Sequence, residues 1–460
     1  MNYLIENASV VNEGEVFKAD VLVRDGLIAD IFRPGDFHSD SSTCATQLPC
    51  ETRTIDATGK YLIPGIIDEH VHFREPGLTE KADIASESRA AVAGGVTSFM
   101  DMPNTLPQTV SRQLLEDKFD LASQKSLANY SFYLGATNDN LSEILRVDTE
   151  KLCGIKLFMG SSTGNMLVDS REVLETLFRE APCLIAAHCE DEGIIRHNTE
   201  NFRAALASGR AASDTAAVHS RIRSSEACYR SAAYAVGLAD KTGARFHLLH
   251  VSTAAELGLL RSDIPLAEKR ITAETCPHYL LLDESRYAEL GFAMKCNPAI
   301  KSPEDRSSLI SAIRSGLIDT VGTDHAPHLR EEKFTGDYFT SKSGFPSIQH
   351  SFDLMYSIQG LAITDVVRLM CHNPATLYRI NRRGFIRKGY HADLAIVDTQ
   401  CHGHISNESE YSKCGWSPYD GFETVSKVTH TFVNGNLVFE NGVFHEESRG
   451  QRLDFTARRP

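Results

Sequence analysis

The chain lacks long apolar runs, clusters of basic residues and paired cysteines, and each absence narrows the functions open to it. None of its apolar runs approaches the roughly 20 residues that a membrane-spanning helix needs, so we expect no membrane segment. The 47 basic residues are outnumbered by 61 acidic residues, which leaves a net charge of −14. Without a Lys/Arg cluster, that balance disfavours a nucleic-acid-binding surface.

The 11 cysteines are an odd number and are scattered without any Cys-x-x-Cys spacing. This pattern indicates reduced, buried thiols rather than a disulfide framework or a zinc ribbon. Residues 1–7 (MNYLIEN) show neither the basic start nor the apolar core of a secretory signal. We therefore expect a cytoplasmic protein, and a homodimer is an assembly that the sequence leaves open.

The pattern of apolar and turn residues divides the chain into two β-rich ends and a long middle. Residues 1–60 alternate short apolar strands with turns, including the hairpin signal Asp25-Gly26. The same alternation of apolar strands and turns occurs in residues 385–460. We predict that both ends combine into one small β-sandwich domain beside a catalytic domain at residues 61–384. A Ser/Thr-rich stretch at residues 39–46 is interpreted as a surface loop.

The middle of the chain alternates strand-like runs with helix-like stretches. Eight such runs occur, at residues 61–68, 97–102, 131–135, 154–159, 183–188, 245–251, 271–274 and 319–324. Eight βα units in series favour an α/β fold of the (β/α)8 TIM-type barrel over a doubly wound sheet. The clearest helix is predicted at residues 81–93, where Gly94-Gly95 acts as a stop signal.

Two histidines follow the first of these strand-like runs. His70 and His72 point to the same side of an extended chain, while Val71 points away. Two imidazoles aimed at one point are a metal-ligand geometry, although the pair taken alone fits a surface position equally well. Four more nitrogen or oxygen donors lie in or just after apolar strands, namely Lys156, His188, His250 and Asp324.

These six donors belong to the C-terminal face of the predicted barrel, where enzymes of this fold keep their active sites. Any one of them could be a hydrogen-bonded core residue, which is what we expect of His247. Together they suit Zn²⁺ or a similar divalent ion, and six ligands are too many for one tetrahedral site. We therefore predict two divalent metal ions, with zinc as the first choice.

Lys156 is the misfit in this set, because two dications repel an ammonium group. Burial near positive charge lowers the pKa of a lysine and makes it a neutral nucleophile. Reaction with CO₂ would convert it to a carbamate, an anionic ligand that can bridge both ions. The alternative is an ordinary lysine held in a salt bridge.

The ligand set resembles that of the amidohydrolase superfamily of metal-dependent hydrolases. Six short motifs narrow the resemblance to the class I dihydroorotases, which are cyclic amidases of pyrimidine biosynthesis. These motifs are HVHFREPG at 70–77, DMPNT at 101–105, HVST at 250–253, CPHYL at 276–280, NP at 297–298 and GTDHAPH at 322–328. The similarity extends over about residues 3 to 440.

The resemblance implies reversible hydrolysis of the ring amide of dihydroorotate to N-carbamoyl-aspartate. It gives Asp324 a second role as the acid and base that moves a proton to the leaving ring nitrogen. It also assigns Asn104 and His328 to the ring carboxylate of the substrate and Asn297 to the ring amides.

Arg74 is the residue that distinguishes a dihydroorotase from related cyclic amidases. It lies on the same side as His72, from where a guanidinium fork can hold a carboxylate with two hydrogen bonds. A surface arginine paired with Glu75 is the alternative. Allantoinase and dihydropyrimidinase activities also remain alternatives, although Arg74 and Asn104 argue against them. A non-catalytic relative used as a scaffold is the other class considered, but such relatives lose ligands and all six positions are intact here.

Overall fold

The structure is a computed structural model that describes residues 1–34, 51–160 and 166–456. The stretch at residues 39–46, interpreted above as a surface loop, lies outside these residues. Within the three described ranges, no helix is both long enough and apolar enough to cross a membrane.

Strands and helices alternate along most of the described chain. The strands are β1 (Asn2–Asn12), β2 (Glu15–Arg24), β3 (Leu27–Phe32), β4 (Thr52–Asp56), β5 (Tyr61–Pro64), β6 (Ile66–Val71), β7 (Val96–Asp101), β8 (Asn129–Phe132), β9 (Leu134–Gly135), β10 (Ile155–Phe158), β11 (Ile185–His188), β12 (Phe246–Leu248), β13 (Ile271–Thr275), β14 (Thr320–Val321), β15 (Leu394–Asp398), β16 (Gly403–His404), β17 (Glu423–Thr424), β18 (Lys427–Val433), β19 (Asn436–Glu440) and β20 (Val443–Phe444). The α-helices are α1 (Ile84–Ala93), α2 (Arg112–Lys125), α3 (Leu141–Ile144), α4 (Arg171–Glu180), α5 (Glu192–Ala207), α6 (His219–Ile222), α7 (Ser225–Thr242), α8 (Ala254–Leu257), α9 (Pro277–Leu281), α10 (Tyr287–Leu290), α11 (Pro303–Ser315), α12 (Arg330–Lys333), α13 (Ser351–Tyr356), α14 (Ile363–Val367) and α15 (Asn373–Tyr378).

The middle of the chain forms a parallel barrel, which confirms the predicted fold class. Strands β6 to β8 pair in parallel, and β9 to β14 form a second parallel run in sequence order. A parallel bridge between Val71 and His325 joins the two ends of this arrangement. Most of the strand residues are buried, as expected for parallel strands covered by helices. The carboxyl ends of all these strands therefore open at one face.

A second sheet combines strands from both ends of the chain, which confirms the predicted β unit beside the barrel. Its order is β20-β19-β18-β15-β5-β1-β2-β3, with β4 paired to β1. The Asp25-Gly26 turn joins β2 to β3, as expected, with both residues at positive φ. Its interior is a hydrophobic cluster of its own that includes Ile5, Leu62 and Phe432.

The apolar run at 61–68 is two strands rather than the single strand predicted. Strand β5 pairs with β1 and β15 in the terminal sheet, whereas β6 begins the barrel. Gly65 separates them, and a Cβ there would lie 2.1 Å from the Thr97 hydroxyl oxygen. The chain therefore changes sheets at Gly65, a few residues beyond the predicted limit at 60. As a division into domains, the ranges 1–60, 61–384 and 385–460 remain a prediction.

Helix α1 begins later than predicted. Its N-cap is Asp83, whose side chain accepts a hydrogen bond from the Ser86 amide at 2.9 Å. The helix ends at Ala93, before Gly94, as expected. Lys81 consequently lies outside the helix, in the segment that leads away from the end of β6.

Candidate metal centre and substrate site

One cavity of about 650 Å³ opens at the C-terminal face of the barrel. All ten residues predicted to act at the site line it, namely His70, His72, Arg74, Asn104, Lys156, His188, His250, Asn297, Asp324 and His328. The sequence separates these residues by up to about 260 positions, and the parallel strands bring them to one place. Whether they bind metal or substrate remains a prediction that the geometry below supports.

His70, His72 and Asp324 form the first group of converging ligand atoms. Nε2 of His70 and of His72 lie 3.3 and 3.1 Å from Oδ1 of Asp324. The other ring nitrogen, Nδ1, pairs at 2.8 Å with Glu274 in one case and Asn104 in the other. If Nδ1 of His70 donates to the Glu274 oxygen and Nδ1 of His72 donates to the Asn104 oxygen, both rings are neutral. Each ring then directs the lone pair of its Nε2 toward Asp324. Acceptors that converge in this way are satisfied by a cation.

Burial supports the neutral form of these rings. It lowers the pKa of His70 to about 4 and also lowers the pKa of His72. Neutral imidazole is the form of histidine that binds metal ions. The first group is therefore in the protonation state that a metal site requires.

His188, at the end of β11, and His250, just after the neighbouring strand β12, form a second pair. Nδ1 of His188 lies 2.8 Å from Nε2 of His250. Nε2 of His188 donates to Glu190 at 2.9 Å, so Nδ1 is left as an acceptor. Although burial opposes it, the Arg223 guanidinium lowers the pKa of Glu190 to about 2, which keeps that carboxylate ionised.

Lys156 lies on β10 and lines the same cavity as these two groups of candidate ligands. Its side chain is almost fully buried, and its ammonium lies 4.6 Å from the centre of the Phe158 ring. No carboxylate comes within ion-pair distance of it among the described residues. Burial lowers the pKa of Lys156 to about 8, so part of the population is a neutral amine near neutral pH.

Arg74 and His328 form a cluster of hydrogen-bond donors beside the metal-type ligands. Arg74 donates from Nε to the Pro327 carbonyl at 3.0 Å, and its Nη2 lies 3.2 Å from Nε2 of His328. The same Nε2 lies 3.0 Å from the Ser343 carbonyl, an acceptor, which favours a proton on that nitrogen. That proton is then taken up by the Ser343 carbonyl, so the terminal N–H groups of Arg74 find no acceptor at Nε2 and are left for an anion at the cavity wall.

Asn297 supplies a polar group of the opposite kind. Its Oδ1 is buried and has no hydrogen-bond partner in the part of the chain that the structure describes. A buried acceptor without a partner costs free energy unless a ligand or water satisfies it. Asn297 is therefore suited to accept a hydrogen bond from a ring N–H.

Three of the candidate site residues have a left-handed backbone. The φ angles are 68° at Arg74, 40° at His250 and 48° at Asp324. Such angles cost non-glycine residues of order 1–3 kcal/mol each and tend to occur at functional sites. The surrounding structure therefore holds these three side chains in directions that a relaxed chain would not choose.

Sequence reasoning missed several residues that hold or surround the ligands. Glu274 binds His70, and Glu190 binds His188 from two positions further along the chain, a spacing that could have signalled it. Lys81 lines the cavity, 3.4 Å from Nδ1 of His328. His247 is buried, as predicted, and pairs with Thr272 at 2.9 Å, but it also lies in a second group of ligand atoms with Glu69 and Glu274.

Comparison with known proteins places this arrangement in context. The profile of the Amidohydrolase family matches residues 61–438. The chain is 31% identical to a dihydroorotase of Methanosarcina acetivorans, covering 99% of this chain and 96% of that protein. It is 30% identical to an allantoinase of Deinococcus radiodurans, covering 98% of each. The solved structure of L-hydantoinase (dihydropyrimidinase) from Arthrobacter aurescens superimposes with a TM-score of 0.89 at 28% identity, covering 98% of this chain and 99% of that one.

Proposed function

The chain belongs to the amidohydrolase family, and we propose that it is a dihydroorotase. It would hydrolyse the ring amide of (S)-dihydroorotate to N-carbamoyl-L-aspartate and catalyse the reverse ring closure in pyrimidine (UMP) biosynthesis. The observation that carries this proposal is the donor cluster of Arg74 and His328 in the same cavity as the metal-type ligands. A substrate for this cavity should present a carboxylate a short distance from a hydrolysable amide.

The six candidate metal ligands fit two divalent ions, which we propose are zinc. His70, His72 and Asp324 would hold one ion, because their acceptor atoms already converge. His188 and His250 would hold the other. We propose that Lys156 is carboxylated and bridges the two ions, since a buried lysine without a nearby counter-ion is otherwise costly beside dications. Imidazole, carboxylate and carbamate are ligands that zinc accepts.

Divalent ions at this position would lower the pKa of water toward 7 and polarise the ring carbonyl. Asp324 would take the proton of the attacking water and return it to the leaving ring nitrogen. Arg74, Asn104 and His328 would hold the ring carboxylate, and Asn297 would accept from a ring N–H. In ring closure the same groups act in reverse order.

Allantoinase is the second candidate, because relatives with that name match the chain at similar identity. Allantoin has no carboxylate, so it would leave the Arg74 guanidinium without an anion in a buried position. Burying an unpaired charge is unfavourable. The cavity therefore favours dihydroorotate over allantoin and over the unsubstituted ring of dihydrouracil.

A substrate panel tests the proposal. Initial rates of the purified protein are measured with dihydroorotate, allantoin and dihydrouracil, each before and after treatment with a chelator. We expect dihydroorotate to have the highest kcat/KM and the activity to disappear with chelation. Preference for allantoin would contradict the assignment, and turnover that persists without metal would contradict the mechanism.

A homodimer and a cytoplasmic location are proposed as well. Light scattering coupled to size-exclusion chromatography tests the first, and fractionation of expressing cells tests the second. A chain mass of 50.8 kDa makes monomer and dimer easy to separate.

A further inference from the structure

A buried ion pair lies directly behind the two loops that carry Arg74 and Asn104. Lys118 of α2 and Asp101 at the end of β7 are 2.6 Å apart, and both side chains are completely buried. The ammonium also lies 4.8 Å from the centre of the Phe132 ring. Neither residue lines the cavity.

Each member of the pair also binds the backbone of one loop. Asp101 accepts a hydrogen bond from the Phe73 amide at 2.8 Å, next to Arg74. Lys118 donates to the Met102 carbonyl at 3.0 Å, two residues before Asn104. The ion pair thus connects the backbones that precede the two predicted carboxylate contacts, which come from different strands.

Stability alone does not explain this arrangement. A buried ion pair loses so much hydration that apolar residues of similar size are often equally stable or more stable. What the pair adds is a fixed relation between two loops, and Arg74 needs such support because its φ of 68° is unfavourable for an arginine.

We propose that Asp101 and Lys118 are positioning residues for substrate specificity, which hold Arg74 and Asn104 at the spacing that a carboxylate requires. This inference rests on the proposed function, because it assumes that these two residues bind the substrate carboxylate. It assigns a role to Asp101 of the DMPNT motif, which the ligands and the predicted contacts leave unexplained.

The chain offers a matched control at the other end of the barrel. Lys269 and Asp319 form a buried pair at 2.7 Å, in which Lys269 also donates to the Gly316 carbonyl and Asp319 accepts from the Ala273 amide. Asp319 precedes β14, so this pair lies away from the cavity. Lys118→Met and Lys269→Met each leave a buried carboxylate unpaired, and both should lower stability.

Activity should separate the two variants. We expect Lys118→Met to lower kcat/KM for dihydroorotate about 10- to 100-fold, mainly through KM, because small misplacements of binding groups have effects of this size. Metal content should equal that of the wild type. Lys269→Met should stay within about twofold of the wild type, as expected for a distant site. Equal losses in both variants, or a loss confined to kcat, would overturn the proposal.

A second measurement keeps the proposal separate from a general structural effect. In a background that already carries Arg74→Met and Asn104→Ala, Lys118→Met should reduce kcat/KM by no more than about twofold, because nothing is left for it to position. A full further loss in that background would show that Lys118 acts elsewhere. If Lys118→Met does not fold, Asp101→Asn/Lys118→Met removes both charges and keeps an acceptor for the Phe73 amide. A raised KM is expected there too, and an unchanged KM would overturn the proposal.

The wild-type rates decide the proposed function before any variant is made. A protein that turns over allantoin but not dihydroorotate refutes the function itself. A dihydroorotase in which Lys118→Met has a normal KM refutes only the positioning role.

Discussion

The substitution Arg74→Lys tests the feature that separates dihydroorotate from its uncharged analogues. Arg74 uses Nε to bind the Pro327 carbonyl and extends its terminal nitrogens toward His328 and the cavity. A lysine keeps the positive charge, but it cannot make the backbone contact and also present two donors to a carboxylate. The variant should therefore lose about one charge-assisted hydrogen bond to the substrate.

That loss corresponds to roughly 1.5–3 kcal/mol, or about a 10- to 150-fold lower kcat/KM for dihydroorotate. Arg74→Met should cost more, because the carboxylate would enter a partly desolvated pocket without its cation. The predicted metal ligands are separate side chains, so metal content should not change in either variant.

The assay compares kcat/KM for dihydroorotate and for dihydrouracil, which has the same ring without the carboxylate. Arg89→Lys is the matched control, because Arg89 is exposed and pairs with Glu446 at 3.2 Å, away from the cavity. Only dihydroorotate turnover should fall in the Arg74 variants. The reasoning is refuted if both substrates lose activity equally, or if the wild type prefers dihydrouracil.

Three further predictions concern the metal centre and the fold. Metal analysis should find close to two equivalents of zinc or a similar ion, and one equivalent in a fully active sample would contradict the binuclear site. Lys156→Ala should abolish activity, and small carboxylic acids added with metal should restore part of it in rate assays; full activity without them would show that the carbamate is not needed. Gly65→Ala should lower the free energy of unfolding by on the order of 1–3 kcal/mol, because its Cβ would overlap Thr97. In the same denaturation experiment, Gly237→Ala in α7 should raise it by about 0.5–1 kcal/mol, since no atom of the described residues lies within 4 Å of the added Cβ. Equal midpoints for the two glycine variants would contradict this explanation.

The sequence by itself determined the strands of the barrel and the candidate ligands, because both follow from local patterns. Apolar runs separated by helical stretches predicted eight strands and hence a barrel, because strand and helix periodicities differ. The two-residue spacing of His70 and His72 predicted that they share one side, and both rings do face Asp324. Polar residues at the ends of buried strands are conspicuous, which is why the candidate ligands were found.

Only the tertiary structure decided which distant groups support those ligands. Glu274 lies 204 positions from His70, and no local pattern links them. The same holds for Lys118, whose ion pair with Asp101 depends on a helix packed behind two strands. The break at Gly65 could not be predicted from the pattern of its own segment. An apolar run has the same pattern whether it stays in one sheet or passes into another. The hydrophobic pattern predicts which residues are buried. The hydrogen-bond and ion-pair partners of a side chain, and the points at which a strand breaks, depend on the packing of segments that are far apart in the chain.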